Sequence, residues 1–372
     1  MEKFLTLFPN AENVHLTKDV GMIPFVLNRE YKYDASIACF ENGDYPYLTT
    51  DVNGLKQIFI KQIFKSELLN VGWFLIRNFR KFNVLQCYHI SKNSIFYLLL
   101  FKILHLISIS KSSTYLKFDL DDSIKSKKLS RMSIFLLKRI DLLSVETKDL
   151  CDYLNTKALF NGRVKYVPNG YFDSKARNVI EFNSKDDTII TVGRIGSEQK
   201  NNELLLEAFK VFSRENENWK LELIGPIEKN FQPYIKVFFE ENPSLVSRVF
   251  FIGNISDREI LQAKYDKAKI FILTSRWEGF PLVFLEAIKS GCSLISPRFS
   301  CAIDVTDNEA YGSLFSRDEN PRLLANRILD LVNDSNKLET DCLKIQEFAQ
   351  KKFSWLKICA HINMLLNHLA KN

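Results

Sequence analysis

Short apolar runs alternate with amphipathic stretches in the second half of the chain, from residue 188 onward. The runs are rich in β-branched and aromatic residues, as buried strands are: TIITVG, WKLELIG, RVFFIG, KIFILTS and CSLIS. The stretches between them place apolar residues at three- and four-residue spacing, as amphipathic helices do: ELLLEAFKVFSREN, FQPYIKVFFEE, DREILQAKYDKA and PLVFLEAIKS. This alternation predicts a parallel sheet with helices on both faces, a Rossmann-like α/β domain.

The first half shows the same alternation in a less regular form. Its predicted strands are FLTLF, ASIACF, VLQCYH, STYLKFDL, LLSVE and RVKYVP. Its predicted helices are residues 20–31, 55–64, 69–80, 94–107 and 146–155. The pattern therefore predicts a second Rossmann-like domain, so that two doubly wound domains stand in tandem.

The polar stretch YFDSKARNVIEFNSKDD, which follows VPNG, has no clear period and is predicted to hold the domain boundary. We assign residues 1–180 to an N-terminal domain and residues 181–354 to a C-terminal domain. The tail from about residue 336 is helical in pattern, and a last helix at about 355–372 can pack back on the N-terminal domain. A chain of 372 residues is long enough for two such cores.

The positive charge is concentrated in the first half. Apolar residues make up 46% and charged residues 26%, a composition typical of soluble globular proteins. Residues 1–187 contain 27 Lys and Arg against 20 Asp and Glu, whereas residues 188–372 contain 24 of each. An excess confined to one half predicts an anionic partner there, such as a membrane surface or a phosphorylated substrate.

Seven cysteines are scattered without paired spacing, which argues against a disulfide framework and against a zinc site. We therefore expect a reducing compartment, the cytoplasm. The N-terminus has no basic segment followed by a long apolar run, so no secretory signal is expected. The run SIFYLLLFKILHLISIS contains Lys102 and His105, and its pattern indicates a buried helix rather than a membrane span.

The segment RWEGFPLVFLEAIKSG, residues 276–291, combines two glutamates with a predicted strand-to-helix junction. The strand is predicted to end near Ser275, and a short loop then holds Glu278 and Gly279. Pro281 suits the first helical position, and Gly291 suits the helix C-cap.

A helix N-terminus at the carboxyl end of a parallel strand is suited to bind anionic ligands. Because Pro281 has no N–H, the amides at this terminus are those of Gly279, Phe280 and Leu282. Two nearby carboxylates, Glu278 and Glu286, need hydroxyl, amide or cationic partners if they are buried. The alternative is that Glu278 only favours the helix dipole and that Glu286 is half exposed.

The segment TVGRIGSEQKNNELLLEAF, residues 191–209, places two cations after another predicted strand. The strand ends at Gly193, and Arg194 and Lys200 follow in a polar loop. A guanidinium and an ammonium at a strand end are suited to a diphosphate, although two solvated loop charges would look the same. The loop lacks the third glycine of a dinucleotide-binding fingerprint, which disfavours a nicotinamide-dependent oxidoreductase.

These two segments together resemble the carboxyl half of retaining glycosyltransferases of family four, which have the GT-B fold. In that family two glutamates are separated by seven residues, as Glu278 and Glu286 are. The resemblance implies that Arg194 and Lys200 hold the donor diphosphate and that Glu286 binds the donor ribose. It further implies that Glu278, beside the backbone of Gly279, Phe280, Pro281 and Leu282, holds the transferred sugar and the β-phosphate.

Other parts of the chain resemble the family less closely. FIGNIS is similar to the loop that packs against the nucleobase, which adds Ile252 and Gly253 to Gly193 as candidate donor-binding positions. In place of a glycine-rich loop after the first strand, TKDVGMIPF offers only Gly21 for close approach to the diphosphate.

Family members commonly place a histidine at the end of the fourth strand, where this chain has STYLKFDLDDS. Asp119 is therefore our candidate for the group that accepts the acceptor's proton, alongside the candidate catalytic residues Glu278, Arg194 and Lys200. Lys117, Asp121 and the strand-end His89 are candidates for the acceptor side. Capping, ion-pair or structural roles are the alternatives for all of them.

Residues 55–82, LKQIFIKQIFKSELLNVGWFLIRNFRKF, mix basic residues with aromatic and aliphatic ones. This mixture suits an interfacial helix on anionic lipid, and two core helices with solvated basic faces would look similar.

The sequence thus predicts a transferase that moves a hexose or N-acetylhexosamine from a nucleotide-diphosphate sugar, with UDP favoured over GDP. The expected acceptor is a saccharide or a polyprenyl-diphosphate-linked saccharide in bacterial O-antigen or capsule synthesis. We expect no cofactor, no metal and no nucleic acid, and a cytoplasmic enzyme that is peripheral on the inner face of the plasma membrane. The alternatives are a nucleotide-sugar epimerase of the same architecture and a non-catalytic partner subunit.

Overall fold

The chain forms two compact units in a computed structural model. The structure describes residues 2–118, 130–156, 160–173 and 178–371, with side chains as far as residue 369. Unit 1 consists of Met1–Phe172 and Phe353–Asn372, and unit 2 of Asp173–Lys352. The predicted boundaries after residues 180 and 354 therefore lie inside unit 2 and unit 1, respectively.

Unit 1 contains a parallel sheet of seven strands in the order β3-β2-β1-β4-β5-β6-β7. In chain order, β1 to β7 are Lys3–Leu7, Asp34–Cys39, Lys56–Phe59, Val84–Tyr88, Ser113–Phe118, Leu142–Val145 and Val164–Tyr166. The helices α1 to α5 are Asp19–Tyr31, Glu67–Asn78, Lys92–Ile107, Arg131–Leu137 and Lys148–Thr156. Because all strands run the same way, their carboxyl ends share one edge of the sheet.

A terminal helix, Trp355–Lys371, belongs to unit 1 and packs on α1. Trp355 is fully buried, and Ile358, Cys359 and Ile362 join the core on the same face of the sheet as α1. The core on the opposite face includes side chains of α2, α3 and α5. The sheet is therefore covered on both faces, which explains why β1, β2, β4, β5 and β6 are buried at nearly every position.

The prediction of a helix at residues 55–64 is wrong, because this segment contains the edge strand β3, which pairs in parallel with β2. Short apolar runs do not distinguish a strand from a helix, and here strand pairing decides. The strand β13, Gly312–Phe315, was not predicted either, since four residues with one glycine carry little pattern.

Unit 2 contains a second parallel sheet, of six strands in the order β10-β9-β8-β11-β12-β13. In chain order, β8 to β12 are Asp186–Val192, Lys220–Ile224, Val249–Gly253, Ala268–Ile272 and Ser293–Pro297. The helices α6 to α12 are Asn202–Phe212, Gln232–Glu241, Arg258–Lys267, Leu282–Lys289, Ser300–Val305, Pro321–Asn333 and Ser335–Phe353. Single 3₁₀ turns lie at Asn13–His15, Pro46–Leu48, Phe79–Lys81, Phe182–Ser184, Lys229–Phe231 and Pro243–Leu245.

The direction of strand addition reverses between β8 and β11 in unit 2, and between β1 and β4 in unit 1. In open parallel sheets, ligands bind outside the carboxyl ends of the strands at such a reversal. The two segments that carry the candidate chemistry of the second half directly follow β8 and β11. The prediction of two Rossmann-like domains is confirmed by this topology.

Candidate functional site

The loops that follow β8 and β11 are joined by hydrogen bonds. The backbone N–H of Arg276 donates to the carbonyl of Gln199 at 2.8 Å, and Gln199 Nε2 donates to the carbonyl of Trp277 at 2.9 Å. Thr274 Oγ1 donates to the carbonyl of Lys200 at 2.9 Å. The two loops, whose bonded residues are 74 to 78 positions apart in the sequence, therefore form one surface.

Lys200 and Glu278 meet on this surface, with Lys200 Nζ 2.5 Å from Glu278 Oε1. The exposed fractions of the two side chains are only 15% and 9%, so the pair is largely shielded from water. Gly193 makes room for the lysine, because a Cβ there would lie 3.1 Å from Lys200 Cε. A carboxylate and an ammonium in this position neutralise each other, and both can still form hydrogen bonds to a ligand.

Arg194 lies beside this pair in the loop after β8 and is exposed. Its Nη2 donates to Gln199 Oε1 at 3.3 Å, a long hydrogen bond. Most of the five guanidinium donors therefore point to solvent, where an anionic ligand can approach.

The helix α9 begins without a side-chain cap. Pro281 was predicted at the first helical position, but it is the N-cap, with φ −69° and ψ 121°, and Leu282 is the first helical residue. Gly279 is exposed and Phe280 is buried, so the loop is anchored by its aromatic ring. Uncapped backbone N–H groups at a helix start favour an anion.

Glu286 lies in the second turn of α9 and accepts a hydrogen bond from Tyr265 Oη at 2.8 Å. Tyr265 is fully buried at the end of α8. Burial first, and then the Glu286 carboxylate, raises the pKa of Tyr265 well above its usual value, so the phenol keeps its proton and donates. This contact fixes one carboxylate oxygen of Glu286 and leaves the other for a ligand. Sequence reasoning did not find Tyr265.

Gly291 follows the end of α9 with φ +74°, a conformation that favours glycine. A Cβ at this position would lie 2.6 Å from the Cys342 carbonyl oxygen, so the helix also needs glycine for space. Ser290 is the C-cap, and Gly291 is the residue after it.

Ile252 and Gly253 lie at the carboxyl end of the edge strand β10, two strands away from β8. Ile252 is 38% exposed, which is unusual for a strand residue of its size, and Gly253 has φ +81° with open space around its Cα. The structure therefore places them on the same edge of the sheet as Lys200, without direct contact to it.

In unit 1, Gly21 lies in the first turn of α1, where helix and preceding turn approach closely. A Cβ on Gly21 would lie 2.2 Å from the carbonyl oxygen of Leu16. This backbone contact requires glycine whether or not a ligand binds nearby.

Gly21→Ala is expected to destabilise unit 1 by about 1–3 kcal/mol, because the start of α1 must shift away from Leu16. Urea unfolding followed by circular dichroism measures the change. Gly72→Ala is the matched control, because Gly72 lies inside the helix α2 and a Cβ there would make only ordinary contacts, 3.8 Å from Phe96 and 3.9 Å from Leu100. An unchanged midpoint for Gly21→Ala would contradict the packing role.

Lys117, a candidate for the acceptor side, is fully buried on β5 and paired with two carboxylates. Its Nζ lies 2.7 Å from Asp19 Oδ2 and also contacts Glu146 Oε1, with Asn169 Oδ1 at 3.5 Å. Burial alone lowers the pKa of Lys117, but Asp19 and Glu146 together raise it above its usual value. The ammonium is thus a charged bridge between α1 and the ends of β6 and β7, and sequence reasoning missed both of its carboxylate partners.

His89 follows β4 with φ +61°, in the left-handed region. Its backbone N–H donates to the Lys117 carbonyl at 3.0 Å, and its ring centroid lies 5.9 Å from that of Phe8. The side chain is exposed at the sheet edge. Asp119 and Asp121 lie outside the described residues.

The described residues contain neither a cluster of metal-ligating side chains nor a helix that could span a membrane. No group of three or more His, Cys, Asp or Glu that could hold a metal ion occurs in residues 2–118, 130–156, 160–173 and 178–371. Within the same ranges, no helix has the length and apolar character needed to cross a membrane.

A known protein family matches the part of the chain that forms nearly all of unit 2. Residues 172–351 match the family model "Glycosyl transferases group 1". The chain is 26% identical over 182 residues to the capsular polysaccharide biosynthesis glycosyltransferase CapM of Staphylococcus aureus, an alignment that covers 48% of this chain and 46% of that protein.

A second relative, from Campylobacter jejuni, is the GalNAc-alpha-(1->4)-GalNAc-alpha-(1->3)-diNAcBac-PP-undecaprenol alpha-1,4-N-acetyl-D-galactosaminyltransferase. It is 28% identical over 212 residues, 55% of this chain and 56% of that protein. The matched region thus spans about half the length of these curated relatives.

Solved structures extend the similarity over both units at the level of the fold. Anabaena Alr3699/HepE in complex with UDP and glucose superposes with a TM-score of 0.66 at 16% identity, over 99% of this chain and 100% of that one. The predicted GT-B fold is confirmed by this likeness.

Proposed function

We propose that the chain is a retaining glycosyltransferase, because residues 172–351 match the model of the family "Glycosyl transferases group 1". The observation that carries the proposal is the pairing of Lys200 with Glu278 beside the uncapped start of α9, with Glu286 held by Tyr265 in the second turn of the same helix. The donor is a nucleotide-diphosphate sugar, and a hexose or N-acetylhexosamine is transferred.

The diphosphate of the donor occupies the positive end of this surface. Arg194 offers a planar set of donors, the α9 terminus offers backbone N–H groups, and Lys200 offers an ammonium. An ammonium has three N–H donors, so Lys200 can bind a phosphate oxygen without releasing Glu278. The Glu278 carboxylate accepts hydrogen bonds from the sugar hydroxyls. Because Lys200 neutralises this carboxylate, Glu278 does not repel the phosphate.

The reaction requires negative charge to be stabilised on the departing diphosphate while the anomeric carbon becomes cationic. Preorganised donors aimed at that charge supply this stabilisation, and Arg194, Lys200 and the α9 terminus are such donors. Of the two routes to retention, a front-face transfer and a covalent intermediate, we propose the front-face transfer that the family resemblance implies. In it the leaving phosphate takes the acceptor's proton, and Asp119 is the side chain that competes for this role. Glu278 and Glu286 bind the donor in this scheme and are not an acid and base pair.

UDP is the favoured nucleotide, since the Anabaena structure was solved with UDP and glucose. Thermal unfolding with UDP, GDP, ADP and CMP is the direct test. Ligand at 100 times its Kd stabilises the folded state by about 2.7 kcal/mol, a readily measured shift. No shift with any of the three diphosphates would contradict the donor site, and a shift with GDP alone would correct the base.

The acceptor is a saccharide, and we propose a polyprenyl-diphosphate-linked one in surface-polysaccharide synthesis at the inner face of the plasma membrane. The support is the description of the two relatives, one in capsule synthesis and one acting on a PP-undecaprenol-linked sugar. Radiolabelled UDP-sugar should yield a butanol-extractable product with the lipid-linked acceptor. Epimerised donor without transfer, or no turnover of any donor, would instead favour an epimerase or a non-catalytic subunit.

The anomeric configuration of the product tests the mechanism. The anomeric coupling constant of the product, measured by NMR, should show the same configuration as the donor, and inversion would contradict the retaining route.

Because the residues that hold the diphosphate are cations and backbone N–H groups, we propose that no resident metal is needed. The rate in EDTA should then equal the rate without it, and a loss restored by a divalent cation would overturn this part of the proposal.

Tyr265→Phe should weaken the ribose grip, because one oxygen of Glu286 loses the donor that orients it. We expect KM for the UDP-sugar to rise about 5- to 10-fold with kcat little changed, the effect of one hydrogen bond to a charged group. The preference for UDP over 2′-deoxy-UDP should fall in parallel.

Tyr234→Phe is the matched control, since Tyr234 Oη donates to Glu207 at 3.2 Å in the same unit. Its kinetic parameters and its preference for ribose should equal those of the wild-type protein. A loss of kcat and stability in Tyr265→Phe, with the ribose preference intact, would show that Tyr265 is only structural.

A further inference from the structure

Two neighbouring helices of unit 1 carry apolar side chains on their exposed sides. In α2 these are Leu69, Trp73 and Ile76, which are 37–55% exposed and recur at a spacing of four and three residues. Such spacing places them in one stripe along the helix. The opposite side of α2 is buried against the sheet through Val71 and Leu75.

The helix α3 carries a second stripe. Its members Phe96, Ile103 and Ile107 are 43–75% exposed, at a spacing of seven and four residues. The two stripes adjoin, because a Cβ on Gly72 of α2 would lie 3.8 Å from Phe96 and 3.9 Å from Leu100. We call the six exposed residues together the α2–α3 apolar face: Leu69, Trp73, Ile76, Phe96, Ile103 and Ile107.

The segment that carries the α2–α3 apolar face is rich in basic residues. Residues 55–111 contain nine Lys and Arg but a single acidic residue, Glu67. Two of the nine pair with carboxylates outside this range, Lys56 with Asp34 and Lys102 with Asp141. The Glu67 carboxylate is engaged with Tyr97 Oη at 3.4 Å and Asn93 Nδ2 at 3.3 Å. The Arg77 guanidinium lies 4.5 Å from the centroid of the Trp73 ring, so a cation sits directly on the stripe.

We propose that the α2–α3 apolar face docks this protein on a bilayer rich in anionic phospholipid. Apolar side chains flanked by Lys and Arg match the boundary between acyl chains and anionic headgroups, where both kinds of side chain are stabilised. The aromatic ring of Trp73 suits the same depth.

A second copy of the chain is a poorer occupant. Two basic faces brought together would set like charges against each other across a desolvated contact. Scattered exposed apolar residues are ordinary on a protein surface, but two adjoining stripes indicate an interaction site.

The inference rests on the proposed function in one respect: a polyprenyl-diphosphate acceptor presents its diphosphate at the surface to which this face would hold the enzyme. Vesicle binding and UDP binding are separate measurements. If the chain does not bind vesicles but is still stabilised by UDP, only this inference is contradicted. If it binds vesicles but is not stabilised by UDP, only the proposed donor site is contradicted.

The test is co-sedimentation of the full chain with phosphatidylglycerol–phosphatidylcholine vesicles and with pure phosphatidylcholine vesicles, at about 50 and 500 mM salt. The charge variant replaces Lys61, Lys65 and Arg80, which are exposed, by Glu. The apolar variant replaces Leu69, Trp73 and Ile76 by Ser. Each cation near an anionic surface contributes about a fivefold change in partition, so the charge variant should bind about 100-fold more weakly or worse.

The matched control replaces three exposed lysines of unit 2, Lys229, Lys236 and Lys344, by Glu. It changes the net charge equally and should bind like the wild-type protein. The apolar variant should lose binding at both salt concentrations, and all variants should keep UDP-dependent stabilisation.

Three results would overturn the inference. Equal binding of the wild-type chain to neutral vesicles would remove the anionic partner, and equal loss in the control variant would leave only a net-charge effect. Absence of vesicle binding, together with dimers that the apolar variant abolishes, would show that this face is a contact between two copies of the chain.

Discussion

Lys200→Met is expected to abolish UDP-dependent thermal stabilisation and to lower kcat/KM by about 100- to 1,000-fold. Under the proposed function, the substitution removes a cation that binds the departing diphosphate. It also leaves the Glu278 carboxylate, whose side chain is 9% exposed, without its ammonium partner next to that phosphate. Donor binding then has to overcome repulsion where wild-type protein offers attraction, so both the bound donor and the transition state are destabilised.

Folding and donor binding should respond differently when the pair is removed as a whole. Lys200→Met alone should cost about 3 kcal/mol of unfolding free energy, since a largely buried carboxylate loses its cation. Lys200→Met with Glu278→Gln should restore most of that stability and none of the activity. Such a result separates the catalytic role of the pair from its structural one.

Lys264→Met is the matched control for this pair, because Lys264 Nζ lies 2.9 Å from Glu222 in the same unit, outside the segments 191–209 and 276–291. Its kcat/KM and its UDP-dependent shift should be those of the wild-type protein. If Lys200→Met were as active as this control, the assignment of the donor diphosphate to the loop after β8 would be refuted.

Lys117→Met is expected to lower the unfolding free energy of unit 1 by about 3–5 kcal/mol. Asp19 and Glu146 are both buried, at 7% and 5% exposure, and the substitution takes away the cation that they share. Urea unfolding followed by circular dichroism measures the loss. Adding Glu146→Gln to Lys117→Met should recover part of it, because one of the two buried negative charges is removed.

The expected pH dependence follows from the direction of the Lys117 shift. Its pKa is raised in the folded protein, so its contribution is complete below the ordinary lysine pKa, about 10.4, and is lost only as the pH rises further. The difference in stability between wild-type protein and Lys117→Met should therefore be constant from about pH 7 to about pH 9.

Lys56→Met provides the comparison for an exposed pair. Lys56 Nζ lies 2.6 Å from Asp34 on the same sheet, but the lysine side chain is 63% exposed. Screening by water limits such a pair to about 0–1 kcal/mol. Equal losses for Lys56→Met and Lys117→Met would contradict the bridging role of the buried ammonium.

The sequence alone determined the class of fold and the location of the donor-site candidates. The apolar periods predicted five of the six strands and five of the seven helices described in unit 2, because period and burial are local properties of a strand or helix. They missed β13 and the helices α10 and α11. The glutamates of 276–291 and the cations of 191–209 were recognisable for the same reason, since each motif is a contiguous strand-loop-helix junction. The limits of local reading appear at β3, a strand predicted as a helix, and at Pro281, one position away from its predicted place.

Only the tertiary structure decided which polar side chains meet. Lys200 reaches Glu278 across 78 residues, Tyr265 reaches Glu286 across 21, and Lys117 reaches Asp19 across 98. Strand order brings these residues to a common edge, and no local period records strand order. A buried charge needs a partner, but that partner can come from any part of the chain that the fold brings close. The sequence therefore did not identify the partners of Lys117 and Glu286, and the tertiary structure did.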